Sequence, residues 1–395
     1  PIEYSGASAG ILKMESRTSL DGLSNYEASM NMTHADFYGK VPFKKDLGVI
    51  MFSARRSYND LISTPTFEAF SDKLFKNNPV PNSEGGTTPA DQLNIDLQFS
   101  DINLKWIYEP NSRTSWSTSL FRSANALDAS QSASSTGASI NQNYDIESIG
   151  WNSSLEYRVS DNLGSKVSLS YSAYDMAYNF LSQRTDDDDD SDDDQQNRAN
   201  NLNNLELRLS NRLRLKGNQT LNFGYQFNYL DVANRLNISS FLEEDSEQLN
   251  ESQGYSQSVF GEFHWDITKD WQLIAGTRLN HFSTLNQFKI SPQLRTNYRL
   301  SGPLVLKASF GVYDQYIRAV EETELTISSA IEQHWLLADD KETVPLTTNT
   351  QTVLGFLFDQ SGWLIDLDLY QKDLKGLLAR NQGFDVNNKA GFSQG

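Results

Sequence analysis

Long segments in which apolar and polar residues alternate one by one limit what this chain can fold into. Between residues 205 and 215, leucine occupies nearly every odd position, whereas the even positions hold Glu206, Arg208, Ser210, Arg212 and Arg214. Successive side chains of a β-strand point to opposite faces of the sheet. The pattern therefore predicts strands with one apolar face and one charged or polar face.

The length of these segments indicates a membrane rather than a water-soluble setting. The same alternation recurs at 221–229 and 363–370. Strands of soluble sheets usually run to about five or six residues. Segments of about ten residues or more match the length that a tilted strand needs to cross a bilayer.

The connections between the segments point the same way. Short polar turns are predicted at 109–112, 160–164, 216–219, 268–270 and 301–303. Long loops are predicted between them, at 59–91, 128–143, 183–199, 237–254 and 319–346. Membrane barrels of outer membranes combine short periplasmic turns with long outer loops, so this alternation favours a transmembrane antiparallel β-barrel.

The composition is compatible with that fold class. The chain has 395 residues, no cysteine, a formal net charge of -18 and a mean hydropathy of -0.55. It contains no apolar run of the length that a spanning helix requires. Low hydropathy does not exclude a barrel, because only every second residue of each strand faces lipid. The negative charge argues against nucleic acid as a partner, since phosphate binding needs a basic face.

Roughly sixteen strands are predicted, with ends uncertain by several residues. Their approximate ranges are 25–31, 33–42, 47–58, 92–108, 114–127, 142–159, 164–182, 200–215, 220–236, 255–267, 271–283, 287–300, 304–318, 347–359, 363–374 and a last strand from 389. Residues 1–4 show no signal peptide, and the last segment stops in mid-strand. We therefore expect the gene product to extend beyond both ends of this sequence.

A series of short motifs, in order, resembles the barrel of TonB-dependent receptors. The motifs lie at 260–273, 275–278, 291–294, 307–311, 345–346, 351–355 and 369–377. The start of the chain also fits, because 4–17 is similar to the last strand of the family's plug domain. Segments 42–46, 54–60 and 99–105 look like the first barrel strands of a branch common in Bacteroidota. The resemblance divides the chain into the end of a plug at 1–20 and an incomplete barrel at 21–395.

This resemblance carries several implications. It implies a barrel of about 22 strands, of which about 16 are visible here, closed by a plug and embedded in outer-membrane lipid. It implies nutrient import, of a ferric chelate, a cobalamin, an oligosaccharide or a peptide. The energy would come from the TonB complex through an N-terminal box that this sequence lacks, and a surface lipoprotein caps some relatives.

Two groups of residues are candidates for binding. One is an acidic run in a predicted outer loop, whose carboxylates could attract Ca²⁺ or form a solvated segment held open by self-repulsion; its candidate ligands are Asp186, Asp188, Asp190, Asp192 and Asp194. The other is Arg208, Arg212 and Arg214, which share the luminal face with Glu206. They could contact an anionic ligand or the plug, or form ion pairs with other luminal charges. No cofactor other than this Ca²⁺ is expected.

Three functions stay open at this point. The first is an energised importer, the second a structural or assembly partner within a larger outer-membrane complex, and the third a passive porin. An enzyme has little support, because the four histidines show no metal-ligand spacing and no nucleophile elbow or phosphate loop occurs. The plug-like segment at 7–17 argues against a porin.

Overall fold

The computed structural model describes a curved wall of antiparallel strands. The described residues are 2, 20, 23–44, 47–75, 79–81, 87–184, 192–240, 243–322, 332–339, 344–380 and 392–394. Fifteen strands form one sheet in chain order, and each is hydrogen-bonded to the sheet strand that follows it. They are β1 (Asn25–Met30), β2 (His34–Phe43), β3 (Gly48–Ser57), β6 (Gln92–Asn111), β7 (Thr114–Ser132), β8 (Ser139–Arg158), β9 (Leu163–Arg184), β10 (Asp192–Arg214), β11 (Gln219–Ser240), β12 (Glu243–Thr268), β13 (Trp271–Phe282), β14 (Gln287–Ser301), β15 (Leu304–Gln315), β18 (Thr347–Gln360) and β19 (Trp363–Lys375).

The remaining elements are short and lie in the connections. They are α1 (Pro65–Phe75), β4 (Pro79–Pro81), β5 (Thr87–Pro89), β16 (Ile317–Glu322), β17 (Glu332–Leu337), β20 (Leu378–Arg380) and β21 (Phe392–Gln394). Among the described helices, none is long and apolar enough to cross a membrane. The fifteen sheet strands agree in number and order with the first fifteen predicted ranges, and several of them extend further at one end.

The sheet is apolar outside and polar inside. Leu205, Leu207 and Leu209 are each about 40 % exposed, whereas Gln226 and Asn280 are almost fully buried. A soluble protein shows the opposite distribution. The outward leucines of β10 and the residue after it run from Leu205 to Leu215, interrupted by Asn211, which at the usual rise and tilt of barrel strands gives a band about 25 Å tall. The fold is therefore the wall of a transmembrane antiparallel β-barrel.

Tight turns join the strands at one end of the wall. The turn between β10 and β11 contains Gly217 and Asn218, with φ of 70° and 59°, and the turn between β18 and β19 contains Ser361 and Gly362, with φ of 55° and 82°. Two consecutive residues with positive φ give the turn twist that suits a two-stranded hairpin. Short turns mark the periplasmic end of such barrels.

The opposite end differs from the prediction, because the strands continue through much of the predicted loops. β7 and β8 are separated by only 133–138, β9 and β10 by 185–191, and β11 and β12 by 241–242. Four residues, 283–286, join β13 to β14, so short and long connections do not alternate strictly. Antiparallel ladders persist above the lipid because main-chain hydrogen bonds do not depend on the side chains. The polar asparagines and serines there carry no apolar alternation, which is why the sequence suggested loops.

Of the predicted sixteenth strand, only Phe392–Gln394 is described, and this part does not join the large sheet. Residues 381–391 lie outside the described part, and β21 pairs with β20 rather than with β19. The sheet therefore begins at β1 and ends at β19, which is exposed along its whole length.

Candidate functional site

A belt of hydrogen-bonded polar side chains crosses the luminal face of the wall from β10 to β18. Gln226 donates to Glu206 at 2.6 Å, and the Arg278 guanidinium donates to the Gln226 oxygen and, at 2.8 Å, to Asn280. Asn280 also accepts from Ser258 at 2.8 Å. The belt therefore links four adjacent strands, β10 to β13.

The belt continues through Asp314. Asn280 donates to Ser291 at 3.0 Å, Ser291 donates to one Asp314 oxygen at 2.8 Å, and Thr348 donates to the other at 2.9 Å. All four side chains lie on the luminal face of the sheet, and Asn280, Ser291 and Asp314 are buried there. The network gives the polar side chains of the barrel interior the partners that buried polar groups need.

The Arg278 side chain is anchored on both polar and aromatic groups. It is only 2 % exposed, and its guanidinium lies 5.4 Å from the centre of the Phe260 ring. Phe260 in turn covers Gly224, where an added Cβ would come within 2.5 Å of the ring. Arg278 is thus fixed as a central cation of the luminal wall.

A second cluster surrounds Glu262 nearer the periplasmic end. The Glu262 carboxylate, 4 % exposed, forms an ion pair with Arg295 at 2.5 Å and lies 2.6 Å from the His264 imidazole. His264 lies 3.1 Å from the Asn222 amide. Both charges are satisfied by the wall itself, so this cluster holds β11, β12 and β14 together.

Ile2 lies against these two clusters. Its main-chain N–H donates to Glu262 and its carbonyl accepts from Arg278, both at 3.4 Å, and its side chain is 1 % exposed. The N-terminal end of the chain therefore reaches the inner face of the wall about 260 residues away in sequence.

A cavity of about 980 Å³ opens at the periplasmic end beside Ile2. The predicted residues Arg212 and Arg214 both line it, on the ends of β10. Arg208 does not line the cavity. It lies four residues from Arg212 along β10, deeper in the lumen, where it forms an ion pair with Glu206 at 3.1 Å. The three arginines share the luminal face as the sequence indicated, but they occupy two different environments.

At the outer end, the β16–β17 hairpin folds inward. It leaves the wall between β15 and β18, yet it contacts β10, β11 and β12, so the sheet must curl to bring these strands together. Phe282 stacks on Tyr316 at 4.9 Å, and Asn234 donates to the Trp335 carbonyl at 2.7 Å. The hairpin therefore lies against the inner wall near the mouth.

The predicted acidic metal site falls largely outside what can be described. Asp186, Asp188 and Asp190 lie outside the described residues, and for Asp192 only the backbone, at the start of β10, is described. Asp194 lies on the same strand and opposes Ser182. Within the described ranges, no three His, Asp or Glu side chains are grouped to hold a metal ion. The Ca²⁺ site stays a prediction.

The sequence reasoning missed Glu262, Arg278 and Asp314 as members of the luminal network. Glu262 alternates with the apolar residues Phe263 and Trp265, so the sequence places its side chain on the polar face of the strand. Its partners were not, because Arg295 comes from a different strand and cross-strand register depends on turn geometry.

Comparison with known proteins decides the family. The family described as TonB dependent receptor-like, beta-barrel matches residues 57–394. The chain belongs to this family. This receptor barrel is accordingly an outer-membrane protein, as the apolar outer band requires. No curated protein matches the chain in sequence.

Solved structures share the fold of this receptor barrel at low identity. The ferric enterobactin receptor PfeA from Pseudomonas aeruginosa has 12 % identity and a TM-score of 0.54, over 91 % of this chain and 54 % of that one. The ferric yersiniabactin uptake receptor FyuA from Yersinia pestis has 11 % identity and a TM-score of 0.53, over 90 % and 54 %. The RagAB peptide transporter has 9 % identity and a TM-score of 0.52, over 88 % and 45 %. The chain thus spans about half the length of the structures it matches.

Proposed function

We propose that this chain is the body of a TonB-dependent importer that carries a nutrient across the outer membrane. The observation that supports the proposal most is the hydrogen-bonded luminal belt from Glu206 to Thr348, within a barrel of the receptor family. The barrel supplies the path and the polar lining, whereas the energy would come from the TonB complex through an N-terminal box.

The docking of Ile2 on Glu262 and Arg278 supports the assignment of residues 1–20 to the end of a plug. In this proposal residues 21–395 form the barrel, and the plug sits against the same clusters. A passive porin has no use for such a contact.

The substrate class follows only by analogy with neighbours. Those neighbours are described as receptors for ferric enterobactin and ferric yersiniabactin, a copper transporter and a peptide transporter. A ferric chelate and a peptide are the solutes that these neighbours suggest, and the family resemblance adds a cobalamin and an oligosaccharide. The RagAB likeness also motivates a search for a surface lipoprotein partner. Neither a catalytic role nor nucleic-acid binding is part of the proposal.

Planar-bilayer conductance of the complete gene product separates importer from porin. A plugged importer is expected to be nearly silent, and loss of the segment that precedes the barrel should raise the conductance. An open channel of steady conductance in the complete protein would contradict the proposal and support a porin.

Native mass spectrometry of the protein extracted gently from its own outer membrane tests the remaining alternative. Plug peptides together with a co-purified small ligand or a lipoprotein support import. A plugless barrel bound stoichiometrically to other outer-membrane machinery, with no ligand, would support the structural role instead.

A further inference from the structure

Five arginines line the cavity at the periplasmic end of the wall, and one of them, Arg295, is paired with Glu262. The other four lie at or near the periplasmic ends of the strands β8 and β10 and in the turn between β6 and β7; they are Arg113, Arg158, Arg212 and Arg214. Within the described part of the chain, none of the four guanidinium groups has a hydrogen-bond or ion-pair partner. Four unpartnered cations at one level are unusual in a chain of net charge -18.

The ladder register places two of them around a glycine. Gly164 on β9 is opposite Arg158 on β8 and opposite Arg212 on β10, and all three lie on the luminal face. With strands about 4.8 Å apart, the two arginine Cα atoms are separated by about 10 Å. Two long side chains can therefore reach one small group held between them.

The space above the glycine is open. An added Cβ at Gly164 would meet no atom within 4 Å. Two guanidinium groups beside an unfilled gap form a cradle, hereafter the Gly164 cradle, that matches the planar, multidentate way in which arginine binds oxyanions.

The neighbouring carboxylates are mostly engaged elsewhere. Glu156 is paired with Lys166 at 2.7 Å, and Glu262 with Arg295 at 2.5 Å. Glu109 accepts from Ser115 at 3.1 Å. Only Asp161, in the β8–β9 turn, lines the cavity without such a partner in the described ranges. The cradle therefore keeps an excess of positive charge.

We infer that the Gly164 cradle, formed by Arg158 and Arg212 and flanked by Arg113 and Arg214, binds a phosphate or carboxylate oxyanion at the periplasmic end of the lumen. That the oxyanion belongs to the transported solute rests on the proposed function and names its chemical class as an anionic small molecule. The binding site itself rests only on the geometry of the wall.

Titration of the purified complete protein with inorganic phosphate, followed by calorimetry at low ionic strength, tests the cradle. Saturable binding that weakens with added salt is expected. Arg158→Gln and Arg212→Gln should each weaken it by roughly tenfold or more, since one charge-assisted contact is lost. Arg299→Gln is the matched control, because that guanidinium lies at the same end and already donates to the Gly302 carbonyl at 3.0 Å.

Gly164→Val provides a second, independent variant. It keeps every charge and meets open space, so the strand should form, but its side chain fills the gap and should abolish phosphate binding. Citrate in place of phosphate shows which oxyanion is preferred. A tightly bound phospholipid, found by mass spectrometry and lost in Arg212→Gln, would identify a lipid headgroup as the source of the phosphate and would overturn the solute assignment.

Absence of phosphate and citrate binding in the wild-type protein, or equal binding by wild type, Arg212→Gln and Gly164→Val, would overturn the cradle. That failure is distinct from failure of the proposed function. A barrel that imports its solute yet binds no oxyanion here refutes only the cradle. A barrel that binds oxyanions but conducts as an open pore refutes only the importer.

Discussion

At the residue scale, glycines decide which luminal side chains can meet. Gly355 on β18 separates Lys307 on β15 from Asp368 on β19, and the three are aligned in the ladder. Without a side chain at Gly355, the Lys307 ammonium reaches across to Asp368 at 2.9 Å. An added Cβ would lie within 2.6 Å of the Leu367 carbonyl. The glycine therefore permits the ion pair.

Gly355→Ala should consequently destabilise this part of the wall. Overpacking of a tight site costs about 1–3 kcal/mol, so the folded band in heat-modifiability electrophoresis should be lost at a lower temperature. Gly261→Ala is the control, since a Cβ there meets nothing within 4 Å. Equal melting of the two variants would show that Gly355 plays no such part.

A carboxylate outside the lipid gives the wall a local pH dependence. Asp91 accepts from the Ser134 main-chain N–H at 2.9 Å and from its hydroxyl at 3.1 Å. The Ser134 N–H holds the pKa of Asp91 below its ordinary value of 3.8. Because the folded-state pKa is the lower one, this contribution to stability is complete above pH 3.8 and is lost as pH falls through the folded-state pKa.

Amide exchange at Ser134 should therefore accelerate in acid, below pH 3.8, relative to the intrinsic rate. Asp91→Asn should remove that pH dependence. Hydrogen exchange measured by mass spectrometry compares the acid profiles of the wild-type protein and the variant. An Asp91→Asn protein with the wild-type acid profile would refute the assignment.

At the element scale, the strand interiors were predictable and the outer connections were not. The alternation located β10 and β11 because lipid imposes an apolar residue at every second position. Above the lipid no such demand exists. The sequence pattern therefore did not predict that the paired strands β11 and β12 continue to residues 240 and 243. The β16–β17 hairpin was equally hidden, because its partners Leu230 and Val232 lie about 100 residues earlier.

The packing of that hairpin yields a prediction. Phe282→Ala removes the ring stacked on Tyr316 and should cost about 3–5 kcal/mol of local packing. The β16 and β17 amides should then exchange faster while the protection of β10 and β11 is kept. Phe288→Ala, at an outward position 69 % exposed, is the control. Unchanged exchange in β16 and β17 would show that Phe282 does not hold the hairpin.

At the scale of the whole molecule, the wall sorts its side chains by solvent rather than by a central core. The leucines of β10 face lipid, and the polar belt that contains Gln226 and Arg278 faces the lumen. The sequence predicted which residues of the candidate site lie on the polar face. It did not predict which of these side chains pair with each other, because that depends on the register between neighbouring strands. This division encloses a polar path within an apolar band, which is the arrangement that the proposed solute transport needs.

Single-cysteine scanning along β10 tests that division most directly, because these 395 residues contain no cysteine that would compete for the label. A fluorophore is attached at each position from 205 to 215, in the complete protein reconstituted in lipid, and is quenched from the bilayer by nitroxide lipid and from water by a soluble nitroxide. A transmembrane strand should give lipid quenching at odd positions and aqueous quenching at even positions, with a period of two throughout. Quenching that is uniform along the segment, or stronger from lipid at Arg208 and Arg212 than at Leu207 and Leu209, would contradict the transmembrane barrel.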